Sequence, residues 1–318
     1  MSDLTPIEAR TSLAGTNKVE ILLFTLGTET PGGRREVFGI NVFKVREVMR
    51  IPEITRAPGM PRSVVGMVTL RATLMAVLDL AEYVGIAVEA RPEIMLVTEY
   101  NGQTQGLLVE AVQSIHRLEW SSMKVPPDML SKQGGSFVNA VTALPDGRLV
   151  LMLDVERVLA ELAPQDDNVM FRDLVPLGVP QCTVLFADDS SVARKQIAHT
   201  LDALGVRHIG TNNGLQAWEA LENIATQAQA ADRKPSSTIH AVLTDIEMPE
   251  MDGFILAKRI KSDPRFADIP VIMHSSLSGA QNEKLGMSVG VDEYVTKFEP
   301  QRLADALSRC LAPGRGRG

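Results

Sequence analysis

Ala241-Val242-Leu243-Thr244-Asp245-Ile246-Glu247-Met248-Pro249-Glu250-Met251-Asp252-Gly253 decides the fold of the C-terminal half of this chain. An apolar strand ends on a carboxylate, and a Met-Pro turn and an Asp-Gly follow at once. An aspartate at the carboxyl end of a strand, beside a tight turn, can be presented at the mouth of an open α/β sheet, where ligands bind. The flanking sequence fits such a sheet. Short apolar strands are predicted at 183–187, 206–211, 239–244, 271–275 and 293–295, and helices at 190–204, 214–230, 253–261, 281–288 and 301–311. Five strand–helix repeats make a parallel sheet covered by helices on both faces.

The N-terminal half has a different rhythm. Apolar or alternating runs recur at 19–26, 37–42, 64–70, 73–78, 94–98, 106–112, 136–144 and 149–153. Turn formers separate them: Pro31-Gly32-Gly33, Ala57-Pro58-Gly59, Asn101-Gly102, Gly134-Gly135 and Pro145-Asp146-Gly147. Many short strands with frequent turns indicate a sandwich or barrel, and 154–162 reads as a closing helix. The expected organisation is a loose tail over 1–17, a β-rich domain over 18–163, and a linker over 164–180. The α/β domain follows over 181–312, with a frayed tail over 313–318.

Composition narrows the function. At 318 residues the chain is longer than one core usually supports. Aromatics at 4% and a net charge of −7 argue against a base-stacking or phosphate-binding nucleic-acid surface. Cys182 and Cys310, the two cysteines, are too few for a disulfide scaffold or a thiolate metal site. The start has no basic leader, and no apolar run approaches the ~20 residues of a membrane span. A cytosolic protein, coupled to membrane events only through protein partners, is expected.

Four elements of the α/β domain converge on the carboxyl ends of its strands. Asp188-Asp189 follow the first strand, Asp245 ends the third, Ser275 the fourth and Lys297 the fifth. Three converging carboxylates form a hard, oxygen-rich pocket suited to an octahedral divalent cation, with Mg²⁺ the natural choice. A carboxylate can attack phosphorus to form an acyl phosphate. A metal, a lysine and a hydroxyl donor then share the charge on the phosphoryl oxygens.

The segments Leu185-Phe186-Ala187-Asp188-Asp189-Ser190, Asp245–Gly253, His274-Ser275-Ser276 and Tyr294-Val295-Thr296-Lys297 resemble a two-component response-regulator receiver. The resemblance implies a flavodoxin-like (βα)5 fold. It implies Asp245 as phosphoacceptor, and Mg²⁺ held by Asp188, Asp189, Asp245 and the backbone carbonyl of Glu247. Ser275 is then the switch hydroxyl, Lys297 the cation that pairs the phosphate and Tyr294 the rotating aromatic. Tyr294 can also be read as a core ring, and His274 as packing or surface. Receivers usually carry proline directly after this lysine; here Phe298 follows, with Pro300 two places on.

Residues 18–163 show no nucleophile–base pair, metal spacing or glycine-rich phosphate loop, and His116 is their only histidine. Asn41–Val48, Gly66–Leu80 and Gly106–Val112 are similar to the chemotaxis coupling domain of the CheW family. That family folds as two five-stranded SH3-like β-barrels and bridges chemoreceptors to the histidine kinase CheA. By motif position, Val45, Glu47, Gly66 and Arg71 lie in its receptor- and kinase-coupling region; Arg71 can equally tie loops together. Family members usually have glycine after this arginine, where Ala72 stands.

A coupling domain followed by a receiver resembles the CheV type of chemotaxis protein. The expected function is an adaptor, not a conventional enzyme. It would couple chemoreceptors to CheA at cytoplasmic receptor arrays near the inner membrane, under control of phosphorylation at Asp245. Two competing readings use the same residues: a phosphate sink that drains the kinase, and a structural array adaptor with an inactive receiver.

Overall fold

The computed structural model describes residues 18–27, 35–56, 58–86, 92–100, 103–126, 137–162, 171–172, 174–178, 182–276, 280–297 and 299–311. The expected turns at 31–33, 101–102 and 134–135, both expected tails, most of the expected linker and Phe298 lie outside them. The chain separates into two compact units, one over Val19–Val155 and one containing everything from Glu156 onward.

The first unit is all-β apart from short helical turns. Its strands are β1 (Lys18–Thr25), β2 (Val37–Asn41), β3 (Val45–Arg50), β4 (Val64–Leu70), β5 (Thr73–Asp79), β6 (Ile94–Tyr100), β7 (Gln103–Val109), β8 (Ala111–Glu119), β9 (Val138–Ala143) and β10 (Leu149–Leu153). They form two five-stranded sheets, β8-β1-β2-β10-β9 and β3-β6-β7-β5-β4. Both sheets curl until their edges meet. Beyond edge strand β8, Lys124 bridges Val141 of the opposite edge, and beyond β3, Thr55 bridges Met67 of β4. Closure of this kind removes the unpaired edges of a small sheet. Separate cores fill the two sheets, around Ile21, Leu23, Val150 and Met123 in one and Val77, Met95, Val97 and Leu108 in the other. Helix α1 (Leu80–Val84) leaves β5 where the Asp79 carboxylate accepts the Glu82 N–H, and stops at Gly85 in the left-handed region.

Two strands escape the apolar pattern of the sequence. β3 and β8 are edge strands, and their mixed exposure leaves Arg46, Glu47, Gln113 and Arg117 among the apolar residues. Charged edges guard against pairing with other chains, and the same charges hide the strand from a reading based on apolar runs.

Helix α2 (Val155–Leu162) follows β10 and carries Glu156 into the second unit. There the strands are β11 (Thr183–Ala187), β12 (Arg207–Thr211), β13 (Ala241–Thr244), β14 (Val271–Ser275) and β15 (Glu293–Thr296), all parallel in the order β12-β11-β13-β14-β15. The helices are α3 (Ser191–Ala203), α4 (Gly214–Ala230), α5 (Gly253–Ser262), α6 (Ala280–Ser288) and α7 (Pro300–Leu311). Apolar side chains leave the central strands on both faces. Leu185, Val242 and Met273 pack with Trp218, Phe254 and Phe266; Val184, Phe186, Leu243 and Ile272 pack with Ile197, Leu201, Leu303 and Leu307. Each such side chain contributes about 1.5–3 kcal/mol of hydrophobic stabilisation. The chain winds to β12 on one side of β11 and to β13 on the other, so a crevice opens at the carboxyl ends of β11 and β13.

Candidate functional site

The ladder itself delivers two aspartates to that crevice. Past the end of β11 the Asp188 N–H donates to Thr211 at 3.2 Å, and past β13 the Asp245 N–H donates to Ala187 at 2.9 Å. Both side chains are buried, whereas Asp189 is half-buried. The Asp188 Oδ1 accepts the Ser190 N–H at 2.9 Å, and Ser190 in turn caps α3. Arg194 fixes the loop from below, its Nη1 donating to the carbonyls of Asp188 (2.8 Å) and Asp189 (2.9 Å).

The turn after Asp245 is tied at several points. Asp245 Oδ1 accepts the Ile246 N–H at 2.7 Å, and the Gly253 N–H donates back to Ile246 at 2.9 Å. A Cβ on Gly253 would run into the Asp245 carbonyl, so only glycine closes the turn there. Glu250 sits in the left-handed region (φ 67°) and is held by Asn213 Nδ2 at 2.9 Å. Glu247 is buried within the same turn.

Lys297 stands immediately after β15, fully buried, its N–H donating to the Ser275 carbonyl at 3.0 Å. Its Nζ lies 2.8 Å from Asp188 Oδ2, 2.9 Å from Asp245 Oδ2 and 3.4 Å from Glu156 Oε1. Burial works against the ammonium, but the carboxylates outweigh it and hold its pKa well above the ordinary lysine value. Burial, opposed by Lys297 and reinforced by neighbouring carboxylates, raises Asp188 and lifts Asp245 to about 7.

The contact of Lys297 with Asp188 Oδ2 is an ion contact without hydrogen-bond geometry, so that buried oxygen has no hydrogen-bond partner. One ligand oxygen each from Asp188, Asp189 and Asp245 lie within 4.8 Å of one another. A buried, unsatisfied carboxylate oxygen within a triad of hard donors fits a small divalent cation.

Ser275 ends β14 fully buried, and the half-buried Tyr294 hydroxyl hydrogen-bonds with it. Tyr294 also packs at the edge of the core. His274 is buried; burial, then Lys297, push its pKa down to about 3, so it packs as a neutral ring.

The expected coupling residues divide. Val45 is buried at the start of β3 and presents no surface. Gly66 marks a register shift in β4, and a Cβ there would strike the Thr55 carbonyl, so closure of the sheet accounts for it. Glu47 and Arg71 do meet, Arg71 Nη2 lying 3.1 Å from Glu47 Oε2 with 76% of the arginine side chain exposed. Arg71 and Ala72 form the two-residue turn between β4 and β5, and Leu74 beside it is 64% exposed. Leu74 was hidden in sequence by its place in an apolar run. Glu156 was hidden more deeply, since it precedes Lys297 by 141 residues and belongs to none of the receiver motifs.

Comparison with known proteins agrees in both halves. The CheW-like domain model matches residues 20–163 and the response regulator receiver domain model matches 184–308. Chemotaxis protein CheV1 of Helicobacter pylori is 29% identical over 328 residues, covering 97% of this chain and 98% of that protein. CheV3 of the same organism is 29% identical over 281 residues, covering 86% and 88%. Its chemotaxis protein CheY1 is 36% identical over 130 residues, 40% of this chain and 95% of that protein.

Proposed function

Because the chain belongs to the CheV type of chemotaxis coupling protein, a CheW-like domain joined to a response-regulator receiver, we propose that it couples chemoreceptors to the histidine kinase CheA and that phosphorylation of Asp245 controls the coupling. The observation that carries this reading is the buried contact of Asp245 with Lys297 at the switch point of the sheet.

An oxygen of the Asp245 carboxylate bonds to phosphorus while the bond from phosphorus to the kinase's imidazole nitrogen breaks, and that nitrogen keeps the electron pair. Asp188, Asp189, Asp245 and the Glu247 carbonyl would hold Mg²⁺, which when bound offsets charge on the phosphoryl oxygens. Lys297 pairs with one phosphoryl oxygen. The Ser275 hydroxyl donates to another, and turning its O–H toward the phosphoryl group changes its hydrogen bond with Tyr294, which couples the ring to phosphorylation. In the first unit, the exposed Arg71–Glu47 pair and Leu74 offer a contact surface for receptor or kinase. Among the described residues no helix is long and apolar enough to cross a membrane, which suits an adaptor recruited to arrays by its partners. The contact of Lys297 with Asp245 counts against a receiver that has lost its chemistry.

Labelling by acetyl phosphate with Mg²⁺ tests the phosphoacceptor. Wild type is modified and Asp245→Asn is not; equal modification of both defeats the assignment. Kinase activity in reconstituted receptor arrays tests the coupling, and identical activity with phosphorylated wild type and Asp245→Asn would remove the switch.

A further inference from the structure

A fourth carboxylate stands in the phosphoacceptor pocket. Glu156, in the first turn of α2, is 2% exposed, and its Oε1 lies 3.4 Å from Lys297 Nζ. A lysine ammonium has three donors and no acceptor. Here two of them reach Asp245 and Glu156, and Asp188 lies in ion contact at 2.8 Å. A phosphoryl oxygen that pairs with Lys297 enters beside three carboxylates, and like charge favours the withdrawal of one.

Their contacts with the pocket differ. Asp245 stays in the pocket, because the phosphoryl group is bonded to it. Asp188 is pinned by the Ser190 N–H and by the Arg194 contact to its carbonyl. Glu156 makes the longest contact and reaches the pocket from an element outside the (βα)5 sheet. An incoming phosphoryl group carries negative charge, and a buried carboxylate beside it loses its cation and gains a like-charged neighbour.

We propose that Glu156 is an internal stand-in for the phosphoryl group: its carboxylate occupies Lys297 in the unphosphorylated protein and is expelled when Asp245 is phosphorylated, loosening the start of α2. The proposal rests on Asp245 being the phosphoacceptor. It has two consequences. Glu156 slows phosphoryl uptake, since uptake must break its contact. The phosphorylated state is read out at α2 as well as at Ser275 and Tyr294.

The test uses the full chain, acetyl phosphate with Mg²⁺ for the rate, and beryllofluoride with Mg²⁺ as a stable phosphoryl mimic. Glu156→Gln and Glu156→Ala are expected to take up phosphate about three- to tenfold faster than wild type, the effect of removing one charge-assisted contact. Hydrogen exchange is expected to show amides 155–162 of wild type losing protection on adding beryllofluoride. Wild-type uptake rates in both variants, or unchanged protection of 155–162 in a wild type that labels, overturn the role of Glu156 alone. If a variant misfolds, the exchange measurement on wild type decides. Failure of wild type to label at all overturns the phosphoacceptor reading and takes this one with it.

Discussion

At the scale of single residues, the pocket is a contest between burial and charge. Asp245 is lifted to about 7 because burial, aided by Asp188 and Glu156, exceeds the pull of Lys297. Near neutral pH it is therefore partly protonated, and a divalent cation favours its charged form. Binding of Mg²⁺ at pH 7 should release up to about half a proton, as expected for a group titrating at that pH. Calorimetry in two buffers of different ionisation enthalpy measures this, and undiminished release from Asp245→Asn would refute it. Lys297 is the other side of the contest. Lys297→Met leaves Asp188, Asp245 and Glu156 without their shared cation, at a cost of about 3–5 kcal/mol at pH 7. Without the lysine the carboxyl pKa values rise further, so the loss should shrink as pH falls and the acids protonate. Urea unfolding at pH 5 and pH 7 checks it; a pH-independent loss contradicts the electrostatic account.

At the scale of elements, the capping of α5 sets two effects against each other. The Asp252 carboxylate accepts the Ile255 N–H at 2.7 Å, which favours its charged form, yet burial dominates and raises it to about 6. With a folded pKa above the ordinary 3.8, the folded state binds more protons between the two values. Stability is therefore lost as pH rises through that window, by about 3 kcal/mol at 1.36 kcal/mol per unit. Asp252→Asn keeps the cap and removes the titration. Its stability relative to wild type should improve by about 2–3 kcal/mol between pH 4 and pH 7, and a flat difference would count against it. A second local conflict lies at the β4–β5 turn, where Ala72 holds φ at 67°. Ala72→Gly should stabilise the first unit by about 0.5–1 kcal/mol by relieving the left-handed conformation, less the entropy glycine adds to the unfolded chain. A melting temperature equal to or below wild type would show the turn to be unstrained. These elements also mark how far sequence reaches. The central parallel strands β11 and β13 are legible because they are apolar on both faces and run into an aspartate, as Val242–Asp245 does. β3 and β8 are not, because edge strands must carry polar side chains, and Glu47 and Arg71 meet only once their sheet has curled.

At the scale of the whole molecule, the same division separates what sequence can carry from what it cannot. Asp188, Asp245, Ser275 and Lys297 were recoverable because each closes its own strand, and a parallel sheet brings strand ends together. Glu156 was not, since nothing local to α2 announces a residue whose partner is 141 positions away. The two compact units have separate cores, with Ile21 and Val97 anchoring clusters in one, and Val242 and Leu243 in the other. Units that bury their apolar surface independently unfold as separate transitions. A ligand stabilises only the unit that binds it, by about 2.7 kcal/mol at a hundred times its Kd. Scanning calorimetry of the full chain should therefore show two transitions, and Mg²⁺ with beryllofluoride should move one of them upward by several degrees. In Asp245→Asn that shift should vanish while both transitions persist. A single transition that moves as a whole would mean that the units share their stability, and that occupancy of the Asp245 pocket is felt directly in the folding of the coupling unit.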